Sequence, residues 1–285
     1  MRTIIFVSDM FVDQYSGGAE LTTAALMMTA PKDRYGVGRL NSKDVTKEML
    51  EKHKNDLWVV CNFTDLSEEN KIYMCRNVEY SIIEYDYKLC EFRSLQKHKM
   101  ATGSECNCLE NISGKINMAF YGYAKKIWFM SEGQKKVFFS KLPVLKEEKC
   151  EVLSSIFSPG DLRFMNSLRD NEKGDSYIIL NSDSWIKGTE DCIAYAKAND
   201  LKYELVQNLT YHELLIKMSC SRGLIFRPLG DDTCPRISIE ARLLGCELIT
   251  NEHVQHRDES WFATPESAHE YMSTRSDVFW SHYAQ

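Results

Sequence analysis

The segment from residue 224 to residue 250 constrains the fold most, because it contains a strand, a loop, a helix and a second strand in that order. The apolar run 224–226 leads into an acidic loop, and residues 235–244 are predicted to form a helix that Gly245 ends. A second apolar run, 246–250, follows. In open α/β folds this order places the loop at the carboxyl edge of a parallel sheet, where ligands bind. The free N–H groups and the positive dipole end of the helix suit an anionic, phosphate-bearing ligand.

Strand-length apolar runs alternate with helical segments along the whole chain, which predicts an α/β fold with parallel sheets and helical crossovers. Strands are predicted at residues 3–8, 57–61, 80–84, 127–130, 177–180, 203–206, 224–226 and 246–250. Helices are predicted at residues 19–28, 46–53, 111–124, 133–140, 189–199, 211–220 and 235–244. A stretch with prolines and mixed polarity, 142–160, separates the two halves. We therefore predict one domain at 1–145, a second at 146–265 and a final helix at 266–285.

Composition limits the classes of protein that the chain can belong to. At 285 residues it is long enough for two domains of ordinary size, with the apolar and charged fractions of a soluble globular protein. The formal net charge of −6 argues against an extensive nucleic-acid-binding face. No apolar run approaches the ~20 residues of a transmembrane helix, and the amino terminus lacks the features of a signal peptide. We expect a cytoplasmic protein with no transmembrane segment.

Three short motifs stand where predicted strands meet predicted helices. Asp232 and Glu240 are separated by seven residues in the segment described first. The other two motifs are Gly17-Gly18-Ala19-Glu20 after the first strand and Lys187-Gly188 after the strand 177–180. Taken in their order along the chain, the three motifs resemble the donor-site motifs of retaining GT-B glycosyltransferases of the large family-four group. The chain resembles a short variant of viral or metagenomic type.

The resemblance implies a fold, a reaction and a donor. GT-B enzymes have two Rossmann-like domains with a donor cleft between them, and a C-terminal helix that packs back on the N-terminal domain. The implied function is transfer of a sugar from a UDP- or GDP-sugar to an acceptor, with retention, without a required cofactor, and in the host cytoplasm if the chain is viral. The acceptor classes left open are a glycan, a lipid, a protein and a modified base in DNA.

The same resemblance implies roles on the donor side. Lys187 would contact the diphosphate, and Asp232 would face the transferred sugar. The family usually has an arginine where Ser182 stands, so Arg236 is the candidate for a second cation, with Arg227 in reserve. Glu240 would bind the donor ribose through its carboxylate. The remaining donor-binding candidates are Gly17, Gly18, Thr233 and Cys234.

The acceptor is expected mainly on the first domain. Its candidate residues follow two predicted strands, with several charges and interleaved tyrosines: Asn62, Glu84, Asp86 and Arg93, with Lys88 beside them. Histidines 253 and 256 are interpreted as surface loop residues, because a retaining GT-B enzyme is generally thought to need no protein base.

Metal is not expected in catalysis, because the adjacent side chains of Asp231 and Asp232 would diverge in an extended loop and chelate one ion poorly. Four soft ligands nevertheless lie within one stretch: Cys90, His98, Cys106 and Cys108. They could hold a structural zinc ion, although the spacing is not that of a standard zinc finger and unligated thiols are the alternative.

Two other functions fit the same motifs. Ser182 and the Gly-poor loop before the helix 235–244 favour a catalytically inactive module that binds a nucleotide sugar or a glycan. A nucleotide-sugar epimerase shares the two-domain fold and is the second alternative.

Overall fold

A computed structural model describes residues 2–284, and the chain divides into two compact units. The first comprises the chain up to Ile156 together with the segment from Ser276 onward, and the second comprises Phe157–Arg275. The predicted domain limits were 145/146 and 265/266, and the final predicted position, Gln285, lies outside the described residues.

The first unit contains a six-stranded sheet with the order β2-β1-β3-β4-β5-β6, and every pairing in it is parallel. Its strands are β1 (Arg2–Ser8), β2 (Tyr35–Asn41), β3 (Leu57–Val60), β4 (Tyr80–Glu84), β5 (Lys126–Phe129) and β6 (Cys150–Val152). Its helices are α1 (Gly18–Met28), α2 (Lys47–Lys52), α3 (Glu68–Asn77), α4 (Leu95–Thr102), α5 (Ile112–Tyr123) and α6 (Glu132–Lys141).

The second unit contains a four-stranded parallel sheet with the order β10-β9-β7-β8. Its strands are β7 (Tyr177–Leu180), β8 (Tyr203–Val206), β9 (Gly223–Phe226) and β10 (Glu247–Thr250). Its helices are α7 (Pro159–Leu168), α8 (Thr189–Ala198), α9 (Tyr211–Ser219) and α10 (Arg236–Leu243), and α11 (Pro265–Tyr283) begins in this unit and ends in the first.

Buried apolar strands form the centre of each unit. In β1, Ile4, Phe6 and Val7 are fully buried, as expected for a strand covered on both faces. Tyr80 of β4 stacks on Phe120 of α5 at 4.6 Å between ring centroids, so this core is rich in aromatic packing. Among the described residues, no helix is both long enough and apolar enough to cross a membrane.

The end of α11 packs within the first unit. The ring of Phe279 lies 5.5 Å from that of Trp128 and 6.4 Å from that of Phe6, and the indole of Trp280 donates to Thr29 at 3.3 Å. Phe279 is fully buried and Trp280 nearly so, so the hydrophobic effect holds this end of the helix in place.

Candidate donor and acceptor sites

The second unit brings Lys187 and Asp232 into contact. Lys187 follows β7 and Asp232 follows β9, which are neighbours in the sheet, and Lys187 Nζ lies 3.0 Å from Asp232 Oδ2. The ammonium also lies 5.4 Å from the ring centre of Phe226. Because Lys187 is about a third exposed, a cation reaches solvent at the carboxyl edge of this sheet.

Backbone packing explains why residue 188 is a glycine. Its φ is +61°, and a Cβ at this position would lie 2.1 Å from the carbonyl oxygen of Arg227. Only glycine fits so close to another backbone at a left-handed torsion. The glycine of the Lys-Gly motif is therefore required for packing. The reserve cation Arg227 pairs with Asp191 at 2.8 Å.

Arg236 and Glu240 form a buried ion pair on α10. Arg236 Nε lies 3.4 Å from Glu240 Oε1, and both side chains are about 5% exposed or less. The guanidinium stacks on Phe157 at 3.9 Å and donates to the hydroxyl of Tyr211 at 3.3 Å. Burial raises the pKa of Glu240 against the opposing charge of Arg236. Both residues are therefore buried parts of α10 rather than exposed helix residues.

Backbone hydrogen bonds hold the loop between β9 and α10 in place, and part of this loop is buried. The N–H of Asp232 donates to the carbonyl of His253 at 2.9 Å, and Thr233 and Cys234 are both buried. Asp231 pairs with His253 at 2.8 Å, while Asp232 pairs with Lys187. The two adjacent carboxylates thus have different partners.

His256 is not a surface residue, so the expectation for it is wrong. It is fully buried against Trp261 and Phe262, with Nε2 3.2 Å from Ser238 Oγ on α10. Burial lowers its pKa to about 3, so the ring stays neutral. His256 therefore anchors α10 rather than approaching a ligand.

The first unit brings the four acceptor-side candidates into one cluster at the carboxyl ends of β3 and β4. Arg93 pairs with Asp86 and donates to Asn62 Oδ1 at 3.3 Å. The buried ammonium of Lys88 lies 3.0 Å from oxygens of both Glu84 and Asp86. The residues that share this network are Asn62, Glu84, Asp86, Lys88 and Arg93.

The two acids of this cluster differ in their titration. Burial raises the pKa of Glu84 to about 7 against the charge of Lys88. Burial also acts to raise the pKa of Asp86, but the charges of Lys88 and Arg93 outweigh it and the net shift is downward. Glu84 also accepts a hydrogen bond from the hydroxyl of Tyr121 and is fully buried. Asp86 and Arg93 are more exposed than Glu84.

The Gly-Gly-Ala-Glu motif begins α1. Gly17 is the N-cap with an extended backbone (φ −109°), and the carboxylate of Glu20 accepts from its N–H, which is half of a capping box. A Cβ at Gly17 would lie 2.5 Å from that carboxylate and 2.7 Å from the ring of Tyr15, and because both are ends of flexible side chains these contacts do not require glycine. Burial raises the pKa of Glu20, and the charge of Arg93 opposes the shift.

A polar cavity of about 430 Å³ adjoins the acceptor-side cluster within the first unit. Lys71 lines it, is 6% exposed and donates to Asn117 Oδ1 at 3.1 Å. Lys88 and Arg93 line it as well.

Sequence reasoning did not identify Lys71, because it lies in the unpredicted helix α3. Nor did it identify Tyr211 of the second unit, because nothing local links the start of α9 to Glu240.

The four soft ligands also come together. One ligand atom from each of the residues Cys90, His98, Cys106 and Cys108 lies within 4.8 Å of the others. All but Cys106 are buried.

The fold is that of the GT-B glycosyltransferases, as predicted. HepE from Anabaena, solved in complex with UDP and glucose, shares 11% identity with a TM-score of 0.56, over 100% of this chain and 98% of that one. A trehalose-6-phosphate protein from E. coli, bound with UDP-2-fluoro glucose, shares 9% with a TM-score of 0.57 over 99% and 94%. An alpha-glucosyltransferase in complex with UDP-glucose and DNA containing an abasic site shares 12% with a TM-score of 0.50 over 98% and 92%. No protein-family model and no curated protein matches the chain.

Proposed function

We propose that the protein is a glycosyltransferase that takes its sugar from a UDP- or GDP-sugar. The observation that carries this proposal is the partly exposed Lys187–Asp232 pair at the carboxyl edge of the second unit's sheet. In open α/β sheets this edge is the ligand-binding edge. The likeness to structures solved with UDP and UDP-sugars supports the choice of donor.

Lys187 would stabilise the departing diphosphate, exchanging Asp232 for phosphate oxygens as charge develops there. Asp232, released from the lysine, would then face the sugar. We assign Glu240 to the ribose hydroxyls, and we revise the role of Arg236: because its guanidinium stacks on Phe157 and pairs with Glu240, it orients Glu240 rather than contacting phosphate. We assign Gly17 and Gly18, at the start of α1, a contact with the donor phosphates.

We further propose the retaining, family-four type of reaction, in which the leaving phosphate accepts the proton of the acceptor. Two observations support a donor site without a catalytic metal. Asp231 and Asp232 turn to different partners, and Lys187 supplies a cation at the sheet edge where the diphosphate would bind. Thr233 and Cys234 would shape the sugar subsite by their backbone, because both side chains are buried.

The acceptor would bind at the cluster of Asn62, Asp86 and Arg93 and in the adjoining cavity of the first unit. The cavity is lined by Lys71 and Arg93 beside acidic groups, which suits a polar, hydroxyl-bearing acceptor better than an apolar lipid chain. A glycan or a hydroxylated base fits this description.

The test is incubation with a panel of UDP- and GDP-sugars, without and with candidate acceptors, while free nucleoside diphosphate is measured. We expect slow release with one donor and faster release with the right acceptor. Isomerised sugar without release would identify an epimerase instead, and binding without turnover would identify an inactive binding module. Either result would overturn the proposal.

A further inference from the structure

The ligand atoms of Cys90, His98 and Cys108 are spaced as a tetrahedral metal ion requires. His98 Nδ1 lies 3.6 Å from Cys90 Sγ and 3.5 Å from Cys108 Sγ, and the two sulfurs are 4.0 Å apart. In a tetrahedral site, zinc bonds of about 2.3 Å to sulfur and 2.0–2.1 Å to nitrogen imply distances of about 3.8 Å between two sulfur ligands and about 3.5 Å between a sulfur and a nitrogen ligand. The observed distances between the ligand atoms match these values.

We propose that the protein holds one structural Zn²⁺ ion, bound by the sulfurs of Cys90, Cys106 and Cys108 and by Nδ1 of His98. Three thiolates and one imidazole form a closed structural zinc set, without an open position for a substrate. The rings of His98 and Phe92 pack at right angles, 5.3 Å apart between centroids, which helps to orient Nδ1 toward the sulfurs.

Backbone features bring these ligands toward one another. Ser94 caps α4, which carries His98, and α4 ends at Gly103, whose φ of +73° turns the chain back toward Cys106. Cys108 is held from the other side by α5: a Cβ on Gly114 would lie 1.9 Å from the carbonyl oxygen of Cys108. The site is therefore built from two elements and one tight backbone contact.

A disulfide does not account for the same geometry. A bonded pair of sulfurs lies about 2.05 Å apart, whereas Cys90 and Cys108 are 4.0 Å apart and both also approach His98. A set of inert buried thiols does not require an imidazole nitrogen directed at two of them. The convergence of four ligand atoms, three of them buried, favours a metal ion.

The ion would fix the acceptor-side cluster. Between β4 and α5 the chain forms one eight-residue α-helix, α4, in which only His98 is buried, so its hydrophobic packing is weak. The N–H of Arg93 donates to the carbonyl of Cys90 at 2.9 Å, and Arg93 holds a left-handed φ of +55°. Zinc at Cys90 would therefore hold the turn that aims Arg93 at Asp86 and Asn62. This inference does not depend on the proposed reaction.

Metal content is the direct test. Protein purified without chelator should contain one zinc per chain by elemental analysis. After replacement by Co²⁺, it should show visible bands of a tetrahedral cobalt site and near-ultraviolet thiolate charge transfer. Absence of zinc combined with failure to take up Co²⁺ would overturn the proposal, and so would a thiol count that reveals a disulfide within the cluster.

Single substitutions identify the ligands. Cys106→Ser, at the least buried ligand, and Cys108→Ser should both lose stoichiometric zinc, whereas His98→Cys should retain it. Cys150→Ser is the matched control, because Cys150 is as buried as Cys108 in the same core but lies outside the cluster. Should Cys108→Ser fail to fold, Cys106→Ser decides the point: full zinc content in that variant contradicts the ligand set.

Hydrogen exchange tests what the ion does. Removing zinc should increase exchange at least tenfold in peptides covering residues 86–110 and leave β7 in the second unit unchanged. Zinc loss without a local change in exchange would show that the ion does not hold the Arg93 turn.

Discussion

Lys187 is the residue whose replacement most directly tests the donor site. We expect Lys187→Ala to lower turnover of the nucleotide sugar by about 10²-fold or more, because the lost charge contact grows as the diphosphate departs. Turnover of donor at saturating concentration is the measurement. Lys202→Ala is the control, since Lys202 forms an exposed pair with Asp175 in the same unit. Equal turnover of wild type and a folded Lys187→Ala would remove Lys187 from the reaction.

Glu240 should contribute both to nucleotide binding and to stability. Glu240→Gln replaces a charged acceptor by a neutral one, so affinity for nucleoside diphosphate should weaken by about 1.5–3 kcal/mol. The unfolding midpoint should also fall, because the buried Arg236 loses its counter-charge. Titration calorimetry and thermal unfolding separate the two effects. Glu247→Gln is the control, because Glu247 pairs with Arg222 at the surface. Unchanged affinity would leave Glu240 with a structural role alone.

At the residue scale, the sequence could place Lys187 and Asp232 at one edge of a parallel sheet. Lys187 and Asp232 each follow a buried strand, so adjacent strands bring them together. The burial of Arg236 could not be predicted in the same way. Its cover comes from Phe157 and Tyr211, which lie far away in sequence and have no periodicity that points to α10.

At the scale of elements, Gly188 joins the turn after β7 to the end of β9. Gly188→Ala should destabilise the second unit well beyond the roughly 1–2 kcal/mol of a left-handed alanine, because its Cβ meets the Arg227 carbonyl at 2.1 Å. Gly245→Ala is a matched control with a φ of +69° and no contact closer than 3.7 Å. Urea unfolding of both variants measures the difference. Equal losses of unfolding free energy would mean that the backbone relaxes around Gly188.

Most predicted strands contain strong apolar runs, whereas the missed strands β2 and β6 and the missed helix α3 lack them. Strand β2 has two glycines, lies at the sheet edge and has no fully buried residue, while β6 is only three residues long. Helix α3 is strongly polar and is recognisable mainly by its Ser67 cap. Tertiary packing decides such segments, because their own periodicity is weak.

His256 makes the stability of the second unit pH-dependent. Its pKa is about 3 in the folded state against 6.5 ordinarily, so the unfolded state binds the proton more tightly. The contribution is present in full above pH 6.5 and is lost as the pH falls toward 3, by about 1.4 kcal/mol per pH unit. We expect His256→Gln to flatten the dependence of unfolding free energy on pH in this window. Parallel curves for wild type and variant would contradict the buried neutral ring.

At the scale of the whole molecule, fold and function rest on different evidence. The two parallel sheets and the return of α11 to the first unit define the GT-B architecture. The proposed reaction would depend on a few side chains at the sheet edges, and one architecture can host many different functions. Charge arrangement within each unit, rather than overall topology, therefore decides which chemistry is available.

Metal dependence should distinguish the proposed donor site from the proposed zinc site. The donor chemistry proposed for Lys187 uses a cation from the chain, so release of nucleoside diphosphate should persist in EDTA at short incubation times. Prolonged chelation should remove zinc from the Cys90 cluster, and any loss of transfer to acceptor should then be restored by Zn²⁺. Donor hydrolysis and acceptor transfer are assayed in parallel to distinguish the two effects. Hydrolysis that vanished at once in EDTA and returned with Mn²⁺ or Mg²⁺, but not with Zn²⁺, would show that a divalent ion and not Lys187 neutralises the diphosphate.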